Sequence, residues 1–229
     1  MPWLSEHEKA VEWNRYQRKI QQDIIDTMAQ HGIATLVLKG THTAQYYPRP
    51  DEREFGDLDL YFYDKHDEAD RVAHEVLHVE VSNDAHHHSK YNYRGVTIES
   101  HYDFLNTHYP PSNRHYEQLL KEFVSEEDVS RLTSHVSLFE VLFLLRHMAG
   151  HFAASRITLR DLVDWTLTCQ ALHDKVDWDK VNSVVKDFGM TEFVSVLNTI
   201  AEQRLGHSIT LPLSHSTAQG LKDSKSLRA

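Results

Sequence analysis

The sequence predicts an α+β protein, in which a small mixed β-sheet is flanked by helices and followed by a helical C-terminal bundle. Two observations predict this order. Segments typical of strands are confined to residues 30–105, whereas apolar residues at helical spacing are the only pattern from residue 113 onward. With 229 residues, the chain can form one large domain or two small ones. We expect a core domain at residues 1–110, a helical domain at 111–210 and a polar tail at 211–229.

Composition and charge narrow the class of protein. The formal net charge of −10 argues against a surface that gathers nucleic acid, so we expect a small-molecule or protein partner. No apolar run is long enough to predict a membrane span, and the N-terminus lacks the pattern of a secretory signal. The single cysteine, Cys169, excludes an internal disulfide framework and fits a reducing cytoplasm. We therefore expect a cytoplasmic protein with no membrane partner.

Residues 5–31 are predicted to form an amphipathic helix. Ser5 and Glu8 have the spacing of a capping box, and Gly32 is a natural C-terminal stop. The face expected to be buried carries apolar residues at helical spacing, namely Trp13, Tyr16, Ile20, Ile24 and Met28.

A buried strand is predicted next, over residues 33–38, and it leads into Lys39-Gly40-Thr41. A short helix is expected to follow, before Pro48 and Pro50 force an irregular connection. A glycine at a strand-to-helix junction lets backbone amides approach a phosphate, and a helix N-terminus favours anions.

The stretch 56–62 is predicted to be a strand with an acidic face. Because side chains alternate along a strand, Asp57 and Asp59 share one face. Leu58 and Leu60 occupy the other. Two carboxylates roughly 7 Å apart repel by about 2 kcal/mol at an effective dielectric near 20. A divalent cation would convert that repulsion into ligation, although the residues alone fit two solvated acids equally well.

A helix over residues 67–77 and then a β-hairpin are predicted. The hairpin arms, residues 90–93 and 96–102, flank the turn dipeptide Arg94-Gly95. Glu99 lies on the polar face of the second arm and therefore presents a third carboxylate from a neighbouring strand.

The polar groups of this region suit phosphate chemistry. Clustered carboxylates can hold one or two Mg²⁺ ions, which clamp the attacking and leaving oxygens of an in-line displacement. Lys39 and Arg53 can neutralise phosphate charge, and the arginine can do so with forked geometry.

Only helices are predicted after residue 113. Ser137 and Glu140 have the spacing of a capping box before an apolar run. Three further helices are expected over residues 158–173, 177–188 and 191–205, with Thr158, Asp177 and Thr191 as N-caps and Gly189 and Gly206 as stops.

The histidines allow several interpretations. His147 and His151 have the spacing of two zinc ligands on one helix, but no acid follows His147, so we favour a structural or substrate-facing role. The run His86-His87-His88 favours an exposed loop before the hairpin. The alternative is that one of these rings meets His101 and Glu99 at the edge of the site. His101 shares a face with Glu99 and is the better candidate to support a metal ligand.

The ordered motifs resemble the uncharacterised nucleotidyltransferase family of the DNA polymerase beta superfamily. The family pattern runs Leu-Lys-Gly, Tyr-Pro, Arg, Gly-Asp-Ile-Asp-Leu and Val-Glu-x-His. It is matched here by Leu38-Lys39-Gly40, Tyr47-Pro48, Arg53, Gly56-Asp57-Leu58-Asp59-Leu60 and Ile98-Glu99-Ser100-His101. The resemblance covers residues 30–105 and continues more loosely around His147, His151 and residues 159–162.

The resemblance implies a polymerase-beta-like core and an enzyme that transfers a nucleoside monophosphate from an NTP to an acceptor hydroxyl, with release of pyrophosphate. Asp57, Asp59 and Glu99 would bind Mg²⁺, as one or two ions, and Glu99 would also help to deprotonate the acceptor. The nucleotide and its phosphates would be held by Lys39, Gly40, Thr41, Arg53 and Gly56.

Two other functions stay open at this point. One is a non-catalytic nucleotide-binding protein of the same fold, against which the complete set Asp57, Asp59 and Glu99 argues. The other is a toxin-like tRNA nucleotidyltransferase, against which the acidic net charge argues.

Overall fold

The computed structural model describes residues 2–83, 86–108, 110–125, 134–154 and 157–206. The chain divides into two compact units, residues 1–139 and residues 140 onward. The predicted α+β architecture is confirmed, since the first unit contains a four-stranded mixed sheet with helices around it and the second is helical where it is described. The tail expected at 211–229 lies outside the described residues, and the domain boundaries drawn from the sequence stay a prediction.

Four strands form the sheet in the spatial order β1-β2-β4-β3. They are β1 (Leu36–Val37), β2 (Leu58–Tyr61), β3 (His88–Tyr93) and β4 (Val96–His101). The pair β2 and β4 is parallel, whereas β1 pairs with β2 and β3 pairs with β4 in antiparallel fashion. The helix and the strand β3 between β2 and β4 supply the crossover that a parallel pair requires.

Seven α-helices lie in the described residues. They are α1 (Pro2–Gln30), α2 (His66–Val76), α3 (Ser112–Phe123), α4 (Ser134–Ala154), α5 (Leu159–Ala171), α6 (Trp178–Asp187) and α7 (Thr191–Leu205). Short 3₁₀ turns at Thr43–Tyr46, Pro50–Glu52 and Tyr63–Lys65 complete the first unit.

Helix α1 differs from its prediction at its N-terminal end. It begins at Pro2, so the capping box expected from Ser5 and Glu8 is wrong, while the stop before Gly32 is confirmed. Trp13 and Tyr16 were expected in the core but are 44% and 38% exposed. The sheet core reaches only the C-terminal half of the helix, where Ile20, Ile24 and Met28 are buried.

The strands are shorter than predicted, and the hairpin is confirmed. The run at 33–38 contributes only Leu36–Val37 to the sheet, and the expected short helix is the 3₁₀ turn Thr43–Tyr46. The hairpin turns at Arg94 and Gly95, both with positive φ (52° and 83°), as a type I′ turn requires. Helix α2 matches the predicted helix to within one residue at each end.

One face of the sheet builds the core of the first unit. Leu58, Leu60 and Ile98 pack there with residues of α1 and α2, and all three are 2% exposed or less. Since side chains alternate along β2 and β4, the residues between them point to the opposite face. The core therefore fixes the direction of the acidic side chains.

The helices of the second unit match the sequence in part. Thr158 and Asp177 cap α5 and α6 as expected, but Met190 rather than Thr191 occupies the N-cap of α7. The capping box expected at Ser137 is wrong, because α4 is already helical at Ser134. Trp165 is fully buried, and its Nε1 donates a hydrogen bond to Asn198 Oδ1 at 2.9 Å.

The stretch Val136–Ala154 in α4 is long and apolar enough to span a membrane by length and composition alone, whereas the sequence predicts no membrane span. Half of it is buried inside the protein. The core helix of a water-soluble protein can have the same length and composition.

Candidate active site

Two of the three predicted carboxylates are direct neighbours across the parallel strand pair. Asp59 on β2 is the register partner of Glu99 on β4. Asp57 precedes β2 by one residue and, with its side chain 43% exposed, lies at the open end of the cluster, whereas the Asp59 side chain is only 4% exposed. Lys90 on β3 joins the two ends, since its Nζ lies 3.5 Å from Asp57 Oδ2 and 3.3 Å from Glu99 Oε1. The three carboxylates therefore form one cluster.

Cationic side chains surround this cluster. Lys39 Nζ, at the end of β1, lies 3.2 Å from Asp59 Oδ1. His101 Nε2 lies 3.1 Å from the same oxygen and 3.6 Å from Glu99 Oε2. The other nitrogen of His101, Nδ1, lies 3.2 Å from the backbone oxygen of Asp103, which fixes the orientation of the buried ring. Lys39 and His101 thus hold Asp59 from two directions.

The pKa values in the cluster shift in opposite directions. A hydrogen bond with His101 holds the pKa of Glu99 well below its usual range, against the effect of burial. Burial opposes protonation of His101, but its hydrogen bonds to Asp59 and Glu99 raise the pKa to about 8. Burial and the nearby carboxylates raise the pKa of Asp57, although Lys90 works against this. Glu99 is therefore ionised at neutral pH, as a metal ligand must be.

The Lys39-Gly40-Thr41 turn lies beside the cluster. Gly40 has φ 69°, a conformation that residues with a Cβ rarely adopt, and its carbonyl accepts a hydrogen bond from Ala44 N at 3.0 Å as the 3₁₀ turn begins. The hydroxyl of the buried Thr41 donates to Gln21 Oε1 on α1. The structure thus places the predicted phosphate-binding turn next to Asp59, through Lys39.

A stripe of side-chain amides on α1 holds the long connection between Gly40 and Asp57. Asn14 Nδ2 donates to the backbone oxygens of Asp51 (2.7 Å) and Arg53 (3.2 Å). Gln17 Nε2 donates to the backbone oxygen of Gly56 at 2.7 Å. Asn14 and Gln17 are each 1% exposed. With Gln21, they form what we call the amide stripe, which fixes both ends of the connection.

The two remaining predicted phosphate contacts lie on this connection. Arg53 is buried, with its guanidinium 6.0 Å from the centre of the Tyr47 ring and its Nη1 3.3 Å from the backbone oxygen of Glu54. A Cβ at Gly56 would meet nothing within 4 Å. The geometry therefore brings Lys39 to the carboxylates, whereas Arg53 contacts the ring and main chain of its own connection.

The histidines near the hairpin are closer to the site than an exposed loop would place them. His88 is the first residue of β3 and pairs in register with His101, and its Nε2 lies 3.6 Å from Glu99 Oε1. Burial, together with the neighbouring His101 and His88, lowers the pKa of His87 to about 4. The interpretation as an exposed loop is wrong for these two residues, and the alternative contact with His101 and Glu99 is the observed one.

Sequence reasoning missed Lys90 and the amide stripe. The sequence did contain a signal for Lys90. Tyr91 and Tyr93 are two residues apart and face the core, so the alternation of side chains along β3 directs Lys90 to the opposite, acidic face. The amide stripe gave no such signal, because polar residues on a helix are usually solvated.

The other predicted histidine pair lies in the second unit. His147 and His151 on α4 have their Nε2 atoms 2.9 Å apart, so one ring donates a hydrogen bond to the other. Their role stays a prediction.

One comparison with known proteins gave a match. A family model described as "uncharacterised nucleotidyltransferase" matches residues 1–206. It confirms the resemblance seen in the motifs and extends it beyond residues 30–105. The searches of curated proteins and of solved structures gave no significant match.

Proposed function

We propose that this chain, which belongs to the uncharacterised nucleotidyltransferase family, transfers a nucleoside monophosphate from an NTP to an acceptor hydroxyl and releases pyrophosphate, with Mg²⁺ as cofactor. The observation that carries the proposal is the register pairing of Asp59 with Glu99, beside Asp57 and next to the Lys39-Gly40 turn. A cluster of carboxylates beside a glycine turn and a lysine is the arrangement that a metal-bound triphosphate needs.

The donor atoms of the cluster fit Mg²⁺. It prefers oxygen ligands and is commonly held by one or two carboxylates together with substrate phosphates. Asp57, Asp59 and Glu99 would hold one or two such ions, which when bound neutralise the phosphates and stabilise the attacking and leaving oxygens. The low pKa of Glu99 supports this role, since the carboxylate needs no deprotonation at neutral pH.

The protein's own residues would bind and orient the substrate. The Lys39 side chain is 28% exposed, so it can reach both Asp59 and a phosphate beside Gly40. Gly40 turns the backbone there by its positive φ. His101 holds the carboxylates of Asp59 and Glu99 in place, because its ring is anchored by the Asp103 carbonyl.

The acceptor is proposed to be a hydroxyl on a small molecule or a protein rather than on nucleic acid. The formal net charge of −10 supports this choice, since the phosphate backbone would be repelled at long range.

The direct test is incubation with each α-labelled NTP, Mg²⁺ and a cell metabolite extract, followed by detection of labelled product and pyrophosphate. Asp57→Asn removes a charge from the cluster and is expected to lower turnover by at least about 100-fold, the scale for losing one group that stabilises developing charge. Asp64→Asn is the matched control, because Asp64 is an exposed acid of the same unit. Its turnover should equal that of the wild type.

Binding measurements separate this reaction from nucleotide binding without catalysis. Calorimetry with a non-hydrolysable NTP and Mg²⁺ should show binding by the wild type. Binding without pyrophosphate release across a broad set of acceptors, or unchanged turnover in Asp57→Asn, would contradict the proposal.

A further inference from the structure

Three imidazole rings cluster where β3 begins and β4 ends. His87 precedes β3, His88 opens it, and His101 closes β4 opposite His88. The ring centres lie 4.6 Å apart for His87 and His88, 5.0 Å for His88 and His101, and 5.5 Å for His87 and His101. One ligand nitrogen from each ring lies within 4.8 Å of the other two. The three rings can therefore converge on one point.

Two nitrogens of this cluster are buried without a hydrogen-bond partner among the described residues. They are Nδ1 of His87 and Nδ1 of His88. Buried polar side-chain atoms in native proteins nearly always have a hydrogen-bond partner. Two nitrogens without one in the same small cluster therefore need an explanation. A cation bound between the rings would supply the missing partner for both nitrogens.

The outward-facing nitrogens have contacts that suit metal-binding histidines. Such residues usually direct their second nitrogen to a carboxylate or a backbone carbonyl, which fixes the tautomer and the ring. His88 Nε2 faces Glu99 Oε1 at 3.6 Å, and His101 Nδ1 faces the backbone oxygen of Asp103 at 3.2 Å. This leaves His88 Nδ1 for a shared ion, and His101 would bind the same ion through Nε2 by giving up the contact of that nitrogen with Asp59 Oδ1 at 3.1 Å.

We propose that His87, His88 and His101 bind a divalent transition-metal ion, with Zn²⁺ as the first candidate. Imidazole nitrogens suit zinc, copper and nickel, whereas magnesium prefers carboxylate oxygens, so this site differs in chemistry from the carboxylate cluster. Three histidines form a common ligand set for zinc with one position left for water or substrate. The site shares His101 with the carboxylate cluster but does not depend on the proposed reaction.

The test uses Co²⁺ as a coloured probe for the zinc site in the full chain, after removal of metals with EDTA. The wild type should bind one equivalent of Co²⁺ tightly, with the visible absorption of a nitrogen-ligated ion, and excess Mg²⁺ should not displace it. His87→Ala and His88→Ala should each weaken Co²⁺ binding by at least about tenfold, since even outer partners of a ligand contribute that much. Zn²⁺ should displace the Co²⁺ and abolish the absorption.

Matched controls separate this site from other histidines. His86 is next to His87 in the chain, but its ring packs against His108, with the ring centres 5.3 Å apart. The His86→Ala variant should therefore bind Co²⁺ like the wild type. His147→Ala tests the pair on α4 and should also leave the tight site unchanged. His87→Gln and His88→Gln, each with a circular dichroism melt, replace the alanine variants if those fail to fold.

Two outcomes would overturn the site. One is the absence of tight Co²⁺ binding by the wild type. The other is tight binding that Asp59→Asn abolishes and the His87 and His88 variants leave intact, because that pattern assigns the ion to the carboxylates. Neither outcome involves NTP turnover, so failure of this site is distinguishable from failure of the proposed reaction.

Discussion

A single carboxylate oxygen, Oδ1 of Asp59, receives contacts from two cationic side chains. Lys39 reaches it from the end of β1 and His101 from the end of β4. Removing one partner of a buried charge pair is strongly destabilising, because it leaves the other charge uncompensated. These contacts therefore stabilise the two inner strands of the sheet as well as orienting the carboxylate.

His101 makes the stability of this part of the sheet depend on pH. Because its pKa is raised from 6.5 to about 8 in the folded protein, its contribution is fully present below pH 6.5 and is lost as the pH rises through 8. In EDTA, we expect the free energy of unfolding to fall by up to about 2 kcal/mol over this interval. His87 and His88 have pKa values lowered from 6.5, so their effect on the free energy of unfolding falls below pH 6.5, outside this interval.

Urea unfolding between pH 6 and 9 measures this change. His101→Gln serves as the comparison and should show a flatter profile. Equal profiles for the two proteins would assign the pH dependence to other groups.

Tyr91 and Tyr93 on β3 are expected to respond in opposite ways to removal of the hydroxyl group. The Tyr91 hydroxyl is buried without a hydrogen-bond partner in the described structure, whereas the Tyr93 hydroxyl donates to Asp23 Oδ2 at 3.0 Å. Tyr91→Phe should therefore keep or raise the free energy of unfolding, and Tyr93→Phe should lower it by about 1 kcal/mol. Denaturant titration of the two variants tests this, and a loss in Tyr91→Phe would reveal a missing partner for that hydroxyl.

At the scale of elements, helix α1 acts as the support for the connection that carries the site. The amide stripe of Asn14, Gln17 and Gln21 contacts residues at the start, the middle and the end of that connection. The connection between Gly40 and Asp57 contains two prolines and only short 3₁₀ turns, so it has little regular structure of its own. Its path is therefore set by α1.

Gln17→Leu tests this dependence. The variant leaves the backbone oxygen of Gly56 without its donor, one residue before Asp57. We expect a loss of about 1–2 kcal/mol in the free energy of unfolding. We also expect lower NTP turnover, because Asp57 loses its support.

Gln22→Leu is the matched control on the same helix, since Gln22 is exposed and its side-chain nitrogen donates to Asp26 Oδ1 one turn along α1. It should change neither quantity measurably. Equal losses in both variants would show that the effect is general to α1.

At the scale of the whole molecule, much of the site could be predicted from two features of the sequence. These are the alternation of apolar and acidic residues along the strands and the residues typical of a hairpin turn. The pattern of apolar and acidic residues placed Asp59 and Glu99 on one face, and Arg94-Gly95 identified the hairpin that brings β4 beside β2. The start of β3 was not predictable, because His88-Ser89-Lys90 shows no apolar alternation. The buried position of Asn14 depends on carbonyls more than 30 residues away, which no local pattern reports.

The net charge of the whole molecule predicts weak binding to nucleic acid. With 34 acidic and 24 basic residues, the protein should not retain tRNA on a filter at physiological salt. Retention with a binding constant whose logarithm falls linearly with the logarithm of salt concentration would instead support a tRNA nucleotidyltransferase. Repeating the assay at low salt makes the test more stringent, since screening is then weakest.

The amide stripe also determines which positions of the connection should tolerate substitution. Its side chains donate hydrogen bonds to the main-chain oxygens of Asp51, Arg53 and Gly56, and every amino acid has such an oxygen. The exposed side chains of the connection can therefore be exchanged while its path is kept. This does not apply to the buried Arg53 or to Asp51, whose carboxylate pairs with Arg15 on α1. Substitutions at the exposed positions 49 and 54 should therefore leave the path of the connection unchanged.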